Sequence, residues 1–373
     1  MLRGDKPLSL RVGVEALKKQ PYVLGDVLAA YPFAIYCMEG EDRGYTHLRH
    51  IGKVYRRKAT NNRVISSDVK HFFEECGIDP TTLGYRRTQV LPESSYDDFG
   101  KYNRPAYGNF PGFDTDAWPQ SFELFRREFG GCMAGSEVLD YSVVIEDVND
   151  KTSVSWPWIG KYKKKSEALN DLSFHTYYAD YWRRLSGGAI PMFATVNTKE
   201  ELLETRKVVS GYARSTCGGE LPHLVTGMRL FDDMNQRLYD SHYETCNAVG
   251  FNPWAGGHDL HVRKLERHPN AFEGDIAGQD GTTPNQFFDD LVEYRFQCLR
   301  PEDRTKENYC RIINYYIGAV CCLCVLPDGN VYQKFTGNSS GVLTTSSDNV
   351  LNAVRAMFYA FCVRRPDVSY GWG

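Results

Sequence analysis

GNSSGVLTTSSDN, residues 337–349, is a polar stretch with glycines at both ends of its first five residues, and it joins two segments of opposite periodicity. Before it, LPDGNVYQKF (326–335) reads as a hairpin turning at Asp328-Gly329. After it, Val350, Val354, Met357 and Phe361 recur on one stripe of a helix, and Thr345 and Asn349, four apart, share a face near its start. A hinged loop between hairpin and helix is a place for chemistry rather than packing.

About sixty residues upstream lies AFEGDIAGQDGTTPNQFF (271–288). Residues 271–276 read as a short buried strand, with the chain turning at Gly278, so that Asp275 and Asp280 fall in a strand-to-helix connection. Thr283-Pro284-Asn285-Gln286 reads as a capping box, and Phe287, Leu291, Tyr294 and Cys298 continue on one helical face. Two aspartates four residues apart are common in any solvated turn. Their meaning comes from what accompanies them.

The chain has 373 residues, 42% hydrophobic and 24% charged, ordinary values for one large or two smaller globular domains. Its formal charge of −3 does not mark a nucleic-acid binder, yet residues 151–240 hold 13 Lys/Arg against 10 Asp/Glu. An anionic partner would therefore be gripped locally. Eleven cysteines without regular framework spacing read as reduced thiols. Cys321 and Cys324 have zinc-ligand spacing but no second pair, so they read as buried thiols. The apolar run 312–326, too short to span a bilayer, reads as a buried strand. NTKEELLETRKVVSGYARS, starting at Asn197, reads as a turn, a short charged helix, a strand-like KVV and a Ser-Gly turn. The 24 Tyr, 20 Phe and 6 Trp read chiefly as core.

The two stretches together resemble the palm of viral RNA-dependent RNA polymerases in the style of the astrovirus and picornavirus-like branch. Asp275 and Asp280 match the family's motif A, and GNSSGVLTTSSDN matches the G-N-x-S-G-x-x-x-T-x-x-x-N pattern of motif B, with Ser339 standing where a proline is common. Lys199, Lys207 and Arg214, at offsets of eight and fifteen, are similar to the basic motif F. KTSVSWPWIGKYKKKSEAL (151–169) is similar to motif G, with Thr152 and Ser153 in place and Ser155 where glycine is usual. VGFNPWAGGHDLHVRKL (249–265) is similar to the stretch preceding motif A. The matched segments span roughly residues 151–352.

The resemblance implies an α+β right-hand polymerase fold, with fingers and an incomplete palm and with the thumb missing. It implies an amino-terminal fingers region over 1–150, fingers carrying template and nucleotide channels over 151–265, and a partial palm over 266–373 with an inserted fingers segment near 300–325. The implied activity is template-directed RNA synthesis by a positive-strand RNA virus replicase, an RNA 3′-hydroxyl attacking a nucleoside triphosphate with two Mg²⁺ ions, Mn²⁺ being an alternative. In that scheme Asp275 is catalytic and binds metal, helped by the backbone carbonyl of Ile276. Asp280, Ser340, Gly341, Thr345 and Asn349 hold the incoming nucleotide and its ribose, Lys199, Lys207 and Arg214 line the triphosphate channel, and Thr152, Ser153, Lys163, Lys164 and Lys165 meet the template. Implied partners are template and nascent RNA, nucleoside triphosphates and other viral replication proteins, in replication complexes of the host cytoplasm.

The Gly-Asp-Asp hairpin of the family's motif C has no match before Gly373. The expectation is a polyprotein fragment that is inactive alone. An alternative is a non-catalytic RNA-binding or split-polymerase subunit that takes motif C from a partner chain. A reverse transcriptase is a further alternative, against which the Asp280 and Asn349 pair favours ribonucleotides.

Overall fold

The computed structural model describes residues 9–365 apart from 22, 57–66, 80–83, 89–91, 114, 255, 268 and 271–273. Its main sheet has six strands: β1 (Cys37–Met38), β2 (Arg49–Val54), β4 (Phe193–Thr198), β6 (Ser215–Gly219), β7 (Leu323–Val325) and β8 (Asn330–Gln333). They lie in the order β1-β2-β8-β7-β4-β6. Every neighbouring pair is antiparallel except β4 and β7, which run parallel with Phe193 opposite Leu323. A separate two-stranded ribbon pairs β3 (Tyr85–Arg87) with β5 (Leu202–Glu204). The sheet thus ties amino-terminal, middle and carboxy-terminal stretches into one layer.

Helices cover this layer. Leu10–Lys19, capped by the Ser9 hydroxyl accepting from the Val12 N–H, presents Leu10, Val14 and Leu17 to the largest cluster of buried apolar residues. Leu221–Asp240, Asn285–Cys298 and Lys306–Val320 pack into the same cluster, and Thr345–Arg364 lies against both Asn285–Cys298 and Ala117–Phe129. The hairpin turns at Asp328-Gly329 as its sequence requires; Gly329 has φ 92°, and a Cβ there would lie 2.1 Å from the Val54 carbonyl oxygen.

Five local expectations change. The apolar run 312–326 is mostly helix, Lys306–Val320, followed by the short β7. Ile312, Ile313, Tyr315, Tyr316 and Ile317 are all buried, so this helix is apolar nearly all round and its period does not show. Beyond Asn197 the assignments are exchanged: LLE forms β5 because β3 is there to pair with it, and KVV closes the helix Thr205–Val209. The capping box does not form. The Thr283 hydroxyl bonds the Gln279 carbonyl, and the Gln286 amide reaches Gly108, 178 residues away in sequence.

The expected strand over 271–276 lies partly outside the described residues, and residues 274–278 are exposed and irregular. Ile276 is 46% exposed. With no ladder partner among the described residues and no buried face, nothing holds a strand there. In Thr345–Arg364 the buried stripe runs through Asp348, Leu351, Arg355, Tyr359 and Cys362, while Met357 and Phe361 face outward. No helix among the described residues is long and apolar enough to cross a membrane.

Candidate nucleic-acid interface

A cavity of about 450 Å³ opens where residues 152–165, β6 and the loop 340–343 converge; Thr152, Ser153, Ser155, Lys165, Ser340 and Gly341 line it. Each wall is fixed by backbone bonding. Gly341 donates its N–H to the Cys217 carbonyl (2.9 Å), and its carbonyl accepts from Gly219 (3.2 Å). The Ser340 hydroxyl accepts from the Cys217 N–H at 3.0 Å. A Cβ at position 341 would lie 2.5 Å from the Cys217 oxygen and 2.7 Å from the Gly218 Cα, so glycine is required for this close approach.

Ser155 has φ 62°, the one described non-glycine residue with positive φ. It therefore takes the left-handed conformation that glycine would take at this position. Its N–H donates to the Ser153 hydroxyl (3.1 Å), and its own hydroxyl donates to the Gly218 carbonyl (3.1 Å), pinning the 152–156 turn to β6. Ser155→Gly is expected to stay within about 1 kcal/mol of wild type, relieved strain offsetting the lost hydrogen bond. Ser155→Val is expected to cost about 2 kcal/mol or more. Urea denaturation of the two variants checks the assignment, which equal stabilities would contradict.

The basic run divides at this wall. Lys165 is only 6% exposed; its ammonium donates to the Thr152 hydroxyl, and burial pulls its pKa down. Lys163 and Lys164 are exposed, away from the cavity lining. Lys161 is held by Asp171 at 2.9 Å. Helix Lys165–Leu169 starts at the division, which turns its first residue inward.

The side chains assigned to the ribose do not bond one another directly; Asn338 connects three of these residues, its side-chain amide also reaching the Thr345 carbonyl at 3.5 Å. Its N–H donates to the Asp280 carbonyl (2.7 Å), and its side-chain amide donates to the Asn349 side-chain oxygen (3.0 Å). Gln279 adds a bond to the Asn349 carbonyl at 2.7 Å. The Asp280 carboxylate pairs with Lys101 (2.7 Å), which also bonds Asp98 (3.0 Å). Burial pulls the Lys101 pKa down, but these two carboxylates outweigh it and raise it overall. The Thr345 hydroxyl is turned into its own loop, donating to the carbonyls of Ser339 and Val342 at 2.6 and 2.8 Å. It therefore does not reach Asp280.

The three cations that the resemblance assigns to the triphosphate channel each have a glutamate. Lys199 pairs with Glu201 (3.3 Å), Lys207 with Glu204 (3.6 Å), and Arg214 closes a fork on Glu201. All three cations are about half exposed, so these pairs are weak and exchangeable for a phosphate. Sequence reading missed Asn338, Lys101 and Glu201. Asn338 stood inside the quoted motif; Lys101 carried no signal, because its meeting with Asp280 spans 179 residues.

Asp275 is exposed and makes no ion pair or hydrogen bond among the described residues. Asp280 is committed to Lys101, and no group of three or more His, Cys, Asp or Glu suited to a metal exists among the described residues. Asp275 and the neighbouring Ile276 carbonyl are oxygen donors suited to one Mg²⁺ or Mn²⁺ whose remaining positions water and substrate phosphates fill, but among the described residues no second free carboxylate stands beside them to hold a second ion.

The sheet with its covering helices, and the cavity at the junction of three sequence-distant segments, define a right-hand polymerase architecture of α+β class. Residues 67–370 match the family described as viral RNA-dependent RNA polymerase, and the chain belongs to that family. It is 25% identical over 287 residues to the non-structural polyprotein 1AB of mink astrovirus 1, covering 76% of this chain and 20% of the polyprotein. It is 24% identical over 286 residues to the genome polyprotein of bean yellow mosaic virus, covering 75% of this chain and 9% of that one. The chain thus spans a fifth or less of these relatives' length. The Sicinivirus 3Dpol RNA dependent RNA polymerase superposes with TM-score 0.60 at 15% identity, over 77% of this chain and 62% of that one.

Proposed function

We propose that this chain forms the fingers and part of the palm of a positive-strand RNA virus replicase, and that it binds a template strand in the cavity between residues 152–165 and 340–343. The observation that carries this reading is the lining itself: a nearly buried lysine, three serine hydroxyls and a close-packed glycine loop, which suit a phosphodiester backbone and lack any carboxylate. Amino-terminal fingers over 1–150, channel-bearing fingers over 151–265 and palm from 266 onward remain our division of the chain.

In this reading Thr152, Ser153 and Lys165 hold template phosphates, with Lys163 and Lys164 attracting the strand from outside. Lys199, Lys207 and Arg214 exchange their glutamates for the triphosphate of an incoming nucleotide. Asp280, held ready by Lys101, and Asn349, held by Asn338, meet the ribose, with Ser340 and Gly341 alongside and Thr345 keeping the loop closed. Asp275, with the Ile276 carbonyl, would hold a divalent ion, which when bound would supply charge stabilisation for the attacking 3′-hydroxyl. Other viral replication proteins and the host cytoplasm belong to the same proposal.

Two results are expected from purified residues 1–373. The chain binds single-stranded RNA with an affinity that falls as salt rises, because phosphate neutralisation releases counterions. It does not extend a primed template with Mg²⁺ or Mn²⁺. Robust extension that Asp275→Ala abolishes would overturn the second expectation, and salt-insensitive or undetectable RNA binding would overturn the first.

A further inference from the structure

His223, in the first turn of helix Leu221–Asp240, also lines the cavity. It is 1% exposed, and neither ring nitrogen has a hydrogen-bond partner among the described residues. Its ring stacks on Tyr315 with centroids 3.9 Å apart and planes 9° from parallel, which fixes the imidazole plane. Burial pushes the imidazole pKa down to about 3. At neutral pH the ring is therefore uncharged, with one N–H donor and one bare acceptor.

Buried polar atoms are rarely left unpaired, and those that are unpaired at a cavity wall point to a ligand or an ordered water. The neighbouring Lys165 is the second unusual group. It is nearly buried and has no carboxylate within ion-pair distance among the described residues, only the neutral Thr152 hydroxyl. A buried cation without a counter-ion suits a phosphate, and a group that both donates and accepts suits a hydroxyl. An RNA strand offers the two side by side, as phosphate and ribose 2′-hydroxyl.

We propose that His223 recognises the 2′-hydroxyl of a template ribonucleotide whose adjacent phosphate lies on Lys165, so that this cavity distinguishes an RNA template from DNA. The proposal rests on the template-binding reading above. It adds a sugar-selective contact made by a helix outside the four matched motifs.

The test compares the full chain with His223→Phe, which keeps the stack on Tyr315 and removes both nitrogens. Fluorescence anisotropy reads binding of a labelled single-stranded RNA and of DNA of the same sequence, at one salt concentration, alongside thermal melting of each protein. Wild type is expected to prefer RNA, and His223→Phe to lose about fivefold to tenfold of that ratio with melting unchanged or raised. His223→Gln, which restores a donor and an acceptor, is expected to recover part of the ratio. An unchanged RNA-to-DNA ratio in His223→Phe, or a wild type that binds both equally, overturns the proposal and assigns the nitrogens to water. A wild type that binds no RNA overturns the template-binding reading itself.

Discussion

Asp348→Ala is expected to destabilise the chain by about 3–5 kcal/mol, because it strands a buried guanidinium. Arg295 and Asp348 are both essentially inaccessible, with Arg295 Nη2 2.7 Å from Asp348 Oδ1. The Tyr316 hydroxyl donates to both carboxylate oxygens at 3.0 and 3.1 Å, Arg295 also donates to Ser347 (3.0 Å) and Asn235 (3.1 Å), and its guanidinium lies over the Phe231 ring. The network joins Leu221–Asp240, Asn285–Cys298, Lys306–Val320 and Thr345–Arg364, and two of its members, Ser347 and Asp348, belong to the 337–349 stretch itself. Removing one partner leaves the other charged, buried and unpaired. Replacing both, as Arg295→Met with Asp348→Leu, removes that penalty and is expected to recover at least half of the loss. Urea denaturation of the two singles and the double decides the matter. A single-variant loss under about 1 kcal/mol, or a double variant as unstable as the sum of the singles, would show that the pair is not a closed unit.

The same network explains what the sequence did and did not reveal about the fold. Hydrophobic periodicity placed a helix after residue 345 but put its inner face on Val350, Val354, Met357 and Phe361. Val350 and Val354 do pack, half-buried, against the core, but Met357 and Phe361 face outward, and the fully buried face follows Asp348, Leu351, Arg355 and Tyr359, two of which are charged residues satisfied by partners on other helices. Arg355 bonds Asp290 (2.7 Å) and the Trp118 carbonyl (3.0 Å) and stacks on the Trp118 ring. A residue scale scores such positions as surface, since the partners that neutralise them are 53 and 65 residues distant. The 312–326 run failed for the opposite reason, being buried all round, so that neither period stands out.

The site was legible where its residues are local and opaque where they are not. Gly341, Ser340 and Asn349 were singled out by the resemblance to motif B, since one loop and one helical turn carry its whole pattern. The pairings that give them meaning, Gly341 with β6, Asn338 with Asp280 and Asp280 with Lys101, cross 58 to 179 residues and leave no periodic trace. Ser155 is instructive: its type argued against a tight turn, yet its φ is that of the glycine it replaces. Backbone geometry was kept where the residue was not, held by the Ser155 hydroxyl on Gly218.

The second large effect is a pH dependence of stability set by Glu220, which lies immediately after β6 beneath the cavity. The side chain is fully buried and accepts from the Tyr31 hydroxyl (2.8 Å), the Trp158 ring N–H (3.3 Å) and the Phe193 N–H (3.1 Å). Burial outweighs these donors and pushes its pKa up to about 7, from an ordinary 4.5. The folded state therefore binds more protons than the unfolded one between those two values. Stability from the neutral carboxyl is fully present below about pH 4.5 and declines as pH rises through about 7, a total loss of about 3 kcal/mol by pH 8. Asp289, also raised to about 7, contributes in the same window, so the decisive quantity is the difference between wild type and Glu220→Gln. Glutamine cannot ionise; it keeps an acceptor for Phe193 and gives Tyr31 a donor, while its NH2 leaves the Trp158 N–H without an acceptor, a cost that does not change with pH. Unfolding free energy measured from pH 5 to 8 should fall more steeply in wild type than in Glu220→Gln, by about 3 kcal/mol, whatever the offset between the two curves. Parallel curves would mean that the three donors hold Glu220 ionised throughout. Because Glu220 ties Trp158 of the 151–169 segment to the start of β4, the same titration should loosen the cavity wall that Ser155 and Gly218 form, so that, if the proposed template site is right, RNA affinity weakens along with stability in wild type and not in Glu220→Gln.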